Sequence, residues 1–321
     1  MMDVVALGEL LIDFTTQSVD AGGYPTLAAH PGGAPANFLA ALTRFGGKAA
    51  LLGKVGSDVF GKALINTLRN AGIETRGLVV AGDVFTTLAF VTLDAQGDRE
   101  FSFARKPGAD TQIRFEELDL SLIDDAKIFH FGTLSLTDEP AADATRRAVA
   151  YARQRGKLIT FDPNLRKPLW RDLSSAAEAM LWGLSQADVV KISDEEIEFL
   201  FGMGPEDGAR HILKQFGVKL VFATCGAEGC FFATAHAAGY VPALQGVQVK
   251  DTTGAGDIFG GSAVWKLLQT GLRPEELTQE QLYDVVSFAC TAAGLSTQKY
   301  GGISSVPEYE EVLLYQKAGK I

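Results

Sequence analysis

Several things are scarce or missing in this sequence. Its three cysteines, Cys225, Cys230 and Cys290, form neither an even set nor a metal-ligand spacing, so a disulfide framework is not expected and the thiols read as reduced and cytosolic. No apolar run is long enough to span a bilayer. No basic segment precedes the first apolar strand, so a signal peptide is not expected and the expected location is the cytoplasm. Basic blocks are absent, as is any interleaving of aromatic and basic residues, and the net charge is −10. Nucleic acid and anionic membranes are therefore not expected as partners. Small anions remain open, because backbone N–H groups can hold them. Gly-x-x-x-x-Gly-Lys-Ser/Thr does not occur, which argues against a P-loop NTPase. There is no internal repeat, low-complexity tract or interdomain linker.

The composition that remains is ordinary for a globular protein: 321 residues, 47% hydrophobic and 21% charged, enough for one large α/β domain or two smaller ones. Residues 4–7 read as a buried strand, carried on to a carboxylate at Asp13 that is either a ligand group or part of a surface turn. Residues 15–31 lack helical periodicity and contain Gly22, Gly23 and Pro25, so a loop or small excursion is expected. Next, His30-Pro31-Gly32-Gly33-Ala34-Pro35-Ala36-Asn37 opens a helix; its glycine pair permits close backbone approach and Asn37 sets an amide on the first turn. A strand over 49–55 and a helix capped by Asp58 and ending at Gly72 follow. From residue 73 the pattern changes. Residues 87–93 alternate, turn at 94–98 and return through Phe101 and Phe103, a hairpin signature. Arg105, at the hairpin's end, reads as a solvated charge.

From residue 128 strands and helices alternate regularly: strands over 128–131, 158–161, 189–192 and 220–223 with helices between. Repeated βα units imply a mostly parallel sheet with helices on both faces. Ligands bind such sheets at the carboxyl ends of the strands, and polar residues gather there: Asp162-Pro163-Asn164-Leu165-Arg166, Lys191-Ile192-Ser193-Asp194-Glu195-Glu196 and Thr224-Cys225-Gly226. Each cluster alone could be a cap or a turn. Their shared placement points to function.

The stretch that organises the chain is Asp251-Thr252-Thr253-Gly254-Ala255-Gly256-Asp257, followed by an apolar-periodic helix. Two glycines allow a tight turn, and the helix start offers unpaired N–H groups to an anion. Asp257, in the first turn, suits the helix dipole and is placed to take a proton from an alcohol attacking a phosphate. Gly254, Gly256 and Gly260 also match a loose dinucleotide fingerprint. A Rossmann unit needs a strand after that helix; residues 280–295 read instead as a second helix, so that reading fails.

Together these residues closely resemble the PfkB (ribokinase-like) family of carbohydrate kinases, and within it the fructokinases. Both signatures are present in order, Gly32-Gly33-Ala34-Pro35-Ala36-Asn37 and Asp251–Asp257, and the likeness covers essentially the whole chain. It implies an α/β ribokinase-like domain over residues 1–321 with a small β-sheet lid formed by parts of 15–31 and 83–108. The implied activity is transfer of the γ-phosphoryl group of MgATP to the 6-hydroxyl of D-fructose.

The resemblance also implies roles. Asp257 would be the base, the amides of Gly254, Ala255 and Gly256 would hold the charge on the transferred phosphoryl, and Arg166 would lie along its path. Asp13, Gly32, Gly33 and Asn37 would bind sugar hydroxyls, with Phe103 and Arg105 reaching the substrate from the lid. Lys191, Ser193, Thr224, Gly226, Gly229 and Ala292 would lie on the ATP side. Glu196 matches the acid of the family's Asn-x-x-Glu element and would act on Mg²⁺ through water, with Ser193 standing where the family has Asn. Asp251, Thr253, Gly301 and Ser305 suggest a monovalent-cation loop, with K⁺ the implied ion. The lid sheet is a candidate homodimer contact.

Two other readings remain at this level. A 2-keto-3-deoxygluconate kinase would need a cation near the sugar acid's carboxylate, and Arg105 or Arg166 could supply it. A sugar-binding regulatory protein that has lost turnover would keep the fold alone.

Overall fold

The computed structural model describes residues 1–93 and 99–317; the expected hairpin turn at 94–98 lies outside them. In chain order the elements are β1 (Met2–Leu7), β2 (Leu11–Val19), β3 (Pro25–Gly32), α1 (Ala34–Arg44), β4 (Ala49–Gly56), α2 (Val59–Asn70), β5 (Ile73–Glu74), β6 (Leu78–Ala81), β7 (Leu88–Leu93) and β8 (Arg99–Ala104). They continue with α3 (Leu120–Asp125), β9 (Ala126–Gly132), α4 (Ala141–Gln154), β10 (Leu158–Asp162), α5 (Leu173–Gln186), β11 (Val189–Ser193), α6 (Asp194–Phe201), α7 (Pro205–Phe216) and β12 (Leu220–Thr224). The last are β13 (Gly229–Ala233), β14 (Ala238–Pro242), α8 (Ala255–Thr270), α9 (Gln279–Ser296) and α10 (Tyr309–Lys317).

The main sheet runs β14-β13-β12-β11-β10-β9-β1-β4-β5, with β6 also on β4. It is parallel from β12 through β5, and β13 and β14 add an antiparallel edge. Its central strands read as unbroken apolar runs because both faces are covered. In β1, Val5 and Leu7 face the layer of α3 to α7, while Val4 and Ala6 face α1, α2 and α8 to α10. Strand order reverses where β1 meets β9, and such a switch point opens a crevice at the carboxyl ends.

A second, separate sheet, β3-β2-β7-β8, is the candidate lid. The expected loop at 15–31 is instead most of β2 and β3. Polar Thr15 to Ser18 give no apolar alternation, but β2 gains backbone partners on both sides, antiparallel β3 and parallel β7. Asp20 closes the ribbon by accepting from the N–H groups of Gly22 and Tyr24. Asp58 caps α2 as expected and also accepts from Thr86 N at 2.8 Å, which ties the base of the lid to the core. No helix among the described residues is long and apolar enough to cross a membrane.

Candidate active site

Two helices carry the centre of the crevice. α1 and α8 approach closely because Gly261 has no side chain; a Cβ there would lie 2.1 Å from Phe38 O. That approach brings the first turns together, and Asn37 Nδ2 donates to Asp257 Oδ2 at 2.9 Å across 220 residues of sequence. Gly254 caps α8 at φ 77, a left-handed conformation that suits glycine. A Cβ there would also meet Gly302 Cα at 2.9 Å and Asn37 Nδ2 at 3.1 Å. Ala255 N donates to Thr252 O at 3.2 Å, so this amide is engaged within the loop. The amides of Gly256 and Asp257 precede the first helical bond, from Ile258 N to Gly254 O at 2.8 Å, and point out of the helix start.

Asp257 is buried, and burial raises its pKa; Asn37, Lys191 and Arg166 pull the other way. Lys191 Nζ lies 3.1 Å from Asp162 Oδ2 at the end of β10 and 3.0 Å from where a Cβ on Gly256 would sit. Burial pushes Asp162 up to about 7, with Lys191 opposing the shift. Lys191 itself is held charged: burial works against the ammonium, but Asp162, Glu196 and Asp257 outweigh it. A cation thus faces the open first turn of α8.

Arg166 stands just after β10 and is half-buried. Its Nη1 donates to Leu165 O at 3.2 Å, and among the described residues no carboxylate pairs with it. Its charge still acts on Asp13 and Asp257. Asp13, partly buried on β2, is pushed up to about 6 by burial against the pull of Arg166. Gly32, opposite Leu11, is a diagonal neighbour: a Cβ there would meet Asp13 Oδ2 at 2.1 Å, and a Cβ on Gly33 would meet Glu9 O at 2.4 Å. Cross-strand registers put His30, Asp13, Ala89 and Phe103 in one row across the lid.

Arg105 departs from expectation: it is buried, not solvated. Its Nε and Nη2 reach Asp110 Oδ2 at 2.8 Å, its Nη1 reaches Thr137 Oγ1 at 2.7 Å and its Nη2 reaches Leu134 O at 2.8 Å.

On the nucleotide side, Ser193 and Glu196 form a reciprocal cap on α6. Glu196 Oε2 accepts from Ser193 N at 2.9 Å and Oε1 from Leu165 N at 2.7 Å, while Glu196 N donates to Ser193 Oγ at 3.2 Å. Each carboxylate oxygen keeps acceptor capacity. That fits a water-mediated role toward Mg²⁺, which binds through few protein groups plus phosphates and water. Among the described residues no group of three or more His, Cys, Asp or Glu is arranged to hold a metal ion. Thr224 ends β12 beside Ser193, and Gly226 and Gly229 take φ 52 and 139 in the turn that follows. Ala292 is fully buried in the core below α1; its neighbour Ala293, packed toward the β12–β14 side, is only partly buried.

Asp251 joins the two loops assigned to a monovalent cation. Its Oδ1 accepts from Thr253 N and Oγ1 at 2.9 and 2.7 Å, and its Oδ2 from Gly301 N at 2.9 Å. Ser305 Oγ donates to Gly302 O at 2.8 Å in the same turn. Asp251 thus holds together the loops whose carbonyls would face the ion, which suits the expected donor set.

Three further residues line a cleft together with Asp162 and Asp257: Glu9, His130 and Asn164. Glu9 Oε1 accepts from Ala34 N at 2.8 Å and is pushed up to about 7 by burial. His130 stacks on Phe38 with ring centroids 3.9 Å apart. Burial, then Lys191, pulls it down to about 3, which leaves it neutral and unsuited to proton transfer. Glu9 and Asn164 had a sequence signal, as polar residues just past buried strands. His130, inside a strand, had none.

The pfkB family carbohydrate kinase model matches residues 1–309. A Zea mays protein named fructokinase-1 is 41% identical over 320 residues, 98% of either chain. A Xylella fastidiosa fructokinase solved with bound ATP superposes with a TM-score of 0.91 at 32% identity, covering 100% of both chains. A double mutant of Vibrio cholerae O395 fructokinase, in a fructose-, ADP- and potassium-bound form, is 29% identical with a TM-score of 0.86 over 98% of both chains.

Proposed function

The chain belongs to the pfkB family of carbohydrate kinases, and from that premise we propose that it transfers the γ-phosphoryl group of ATP to the 6-hydroxyl of D-fructose. The observation that carries this reading is the buried Asp257–Asn37 pair at the open first turn of α8. Asp257 takes the proton of the sugar hydroxyl as its oxygen attacks the γ-phosphorus. The new O–P bond forms as the bond to the bridging oxygen of ADP breaks. The amides of Gly256 and Asp257, with Lys191 and Arg166, face the negative charge on the moving group. Such reactions rely on positioning and charge stabilisation more than on covalent chemistry. Mg²⁺, held through water by Glu196, would supply charge neutralisation on the phosphates; the loops joined by Asp251 suit K⁺.

Asp13 and Asn37 hold hydroxyls, and the row His30–Asp13–Ala89–Phe103 lies over them as a lid that excludes water, the competing acceptor. A sugar-acid substrate is less well served, since Arg105 is engaged by Asp110 and leaves Arg166 as the cation on offer. A homodimer contact fits the tip of the β2–β3 ribbon, where Val19 and Tyr24 are exposed. Three buried free thiols suit a reducing cytoplasm.

ADP release measured over a panel of sugars, sugar acids and nucleosides tests the reading. D-Fructose is expected to give the highest kcat/KM, above 2-keto-3-deoxygluconate; a preference for the sugar acid would overturn it.

The raised carboxyl pKa values add a pH expectation. Asp13 titrates at about 6, and Asp257 lies above the usual carboxylate range. Both must be ionised to bind and deprotonate the sugar, so activity is lost as pH falls through these values. kcat/KM for the sugar, which reports the free enzyme, should therefore decline below roughly pH 6 rather than near 4. A profile flat down to pH 5 would contradict these assignments.

A further inference from the structure

Among the described residues, the buried polar atoms without a partner include Asn37 Oδ1 and His30 Nε2. Both border one turn. A Cβ on Gly302 would lie 2.1 Å from Asn37 Oδ1, and one on Gly301 would lie 3.6 Å from His30 Nδ1. Asn37 already donates to Asp257, so its carbonyl is the half left for a ligand. His30 is different in kind, because it comes from the lid.

His30 sits directly opposite Asp13 in the antiparallel β2–β3 pair, and directly paired residues share a sheet face. The face of Asp13 is fixed by electrostatics: its carboxyl feels Arg166, Asp257 and Asp251, all residues of the crevice. His30 therefore faces the crevice as well. A buried nitrogen without a hydrogen bond is costly and uncommon in native proteins. A sugar hydroxyl both donates and accepts, so it satisfies Nε2 in either imidazole tautomer.

We propose that His30 is a lid-borne binding residue whose Nε2 hydrogen-bonds a hydroxyl of the acceptor sugar beside Asp13, and that it helps set which sugar is accepted. This rests on the reading that a sugar lies between Asp13 and Asn37. His30 contributes to the acceptor and not to ATP, whose predicted contacts lie on β11, β12 and α9. Losing one hydrogen bond to an uncharged partner weakens binding by a factor of about 3–10.

The test is steady-state kinetics on the full chain with His30→Ala and His30→Asn, varying sugar and ATP separately. His30→Ala is expected to raise the sugar KM about 3- to 10-fold with the ATP KM unchanged, and His30→Asn to recover part of the loss. Monodeoxy fructoses identify the hydroxyl: one analogue loses activity in wild type and is no worse than fructose in His30→Ala, as expected for a coupled pair. An unchanged sugar KM in His30→Ala overturns the proposal, as does an equal rise in sugar and ATP KM in both variants, which marks a damaged lid. If wild type prefers another sugar to fructose, the fructose reading falls and the His30 comparison is made with that sugar. If wild type uses fructose and His30→Ala is indifferent, only the role of His30 falls.

Discussion

Asp257→Asn is expected to lower kcat by about 10²-fold or more, the size of a lost general base, with ATP affinity little changed. The substitution keeps the shape of the side chain. An oxygen remains to accept from Asn37 Nδ2, now 2.9 Å from Asp257 Oδ2, so the contact between the first turns of α1 and α8 survives. What disappears is the charge. Because burial already raises the pKa of Asp257, the ionised group costs folding energy, and a neutral amide relieves it. Thermal stability should therefore hold or rise while turnover collapses. Such a split separates chemistry from folding more cleanly than Asp257→Ala, which would leave Asn37 Nδ2 unpaired. Turnover, nucleotide binding and melting are measured on one preparation. Near-normal turnover would remove Asp257 from the mechanism.

How legible such a site is depends on where the information lies. The central strands were readable because burial on both faces makes them continuous apolar runs, as with Val4, Val5, Ala6 and Leu7. The loop before α8 was readable because a left-handed cap and a close approach demand glycine at 254. Strands β2 and β3 were not. Their register comes from partners across the lid, and half-exposed threonines carry no periodic signal. Ala292 was singled out on α9, but which face of that helix opens toward the nucleotide side is decided by its packing between α8 and β14. The Ser193–Glu196 pair was visible as spacing, yet its completion by Leu165 N needs two strands to lie side by side. Arg105 was read as solvated because an arginine at the end of a hairpin is a solvated charge by default. Leu134 O and Thr137, about thirty residues away, help bury it.

That last difference leads to the second large effect. Arg105→Ala is expected to destabilise the protein by about 3–5 kcal/mol, the usual cost of removing one partner of a buried ion pair. The side chains of Arg105 and Asp110 are 3% and 2% exposed, so Asp110 would be left charged and desolvated, with the hydroxyl of Thr87 still bonded to it. Glu9 lies within reach of the same field; Arg105 lowers its pKa and Asp110 raises it. Without the guanidinium the two carboxyl groups oppose each other. The pair also joins the end of β8 to residues 134–138, so its loss loosens the lid at its base. A double replacement, Arg105→Met with Asp110→Leu, removes both charges and should recover much of the lost stability. On substrate choice the expectation is the reverse of a sugar-acid kinase. The ratio of kcat/KM for fructose to that for 2-keto-3-deoxygluconate should change by less than about threefold, since the arginine faces protein and not ligand. Denaturant unfolding of both variants and the two kcat/KM values decide between these accounts. Intact stability with a tenfold or greater change in that ratio would return Arg105 to the substrate.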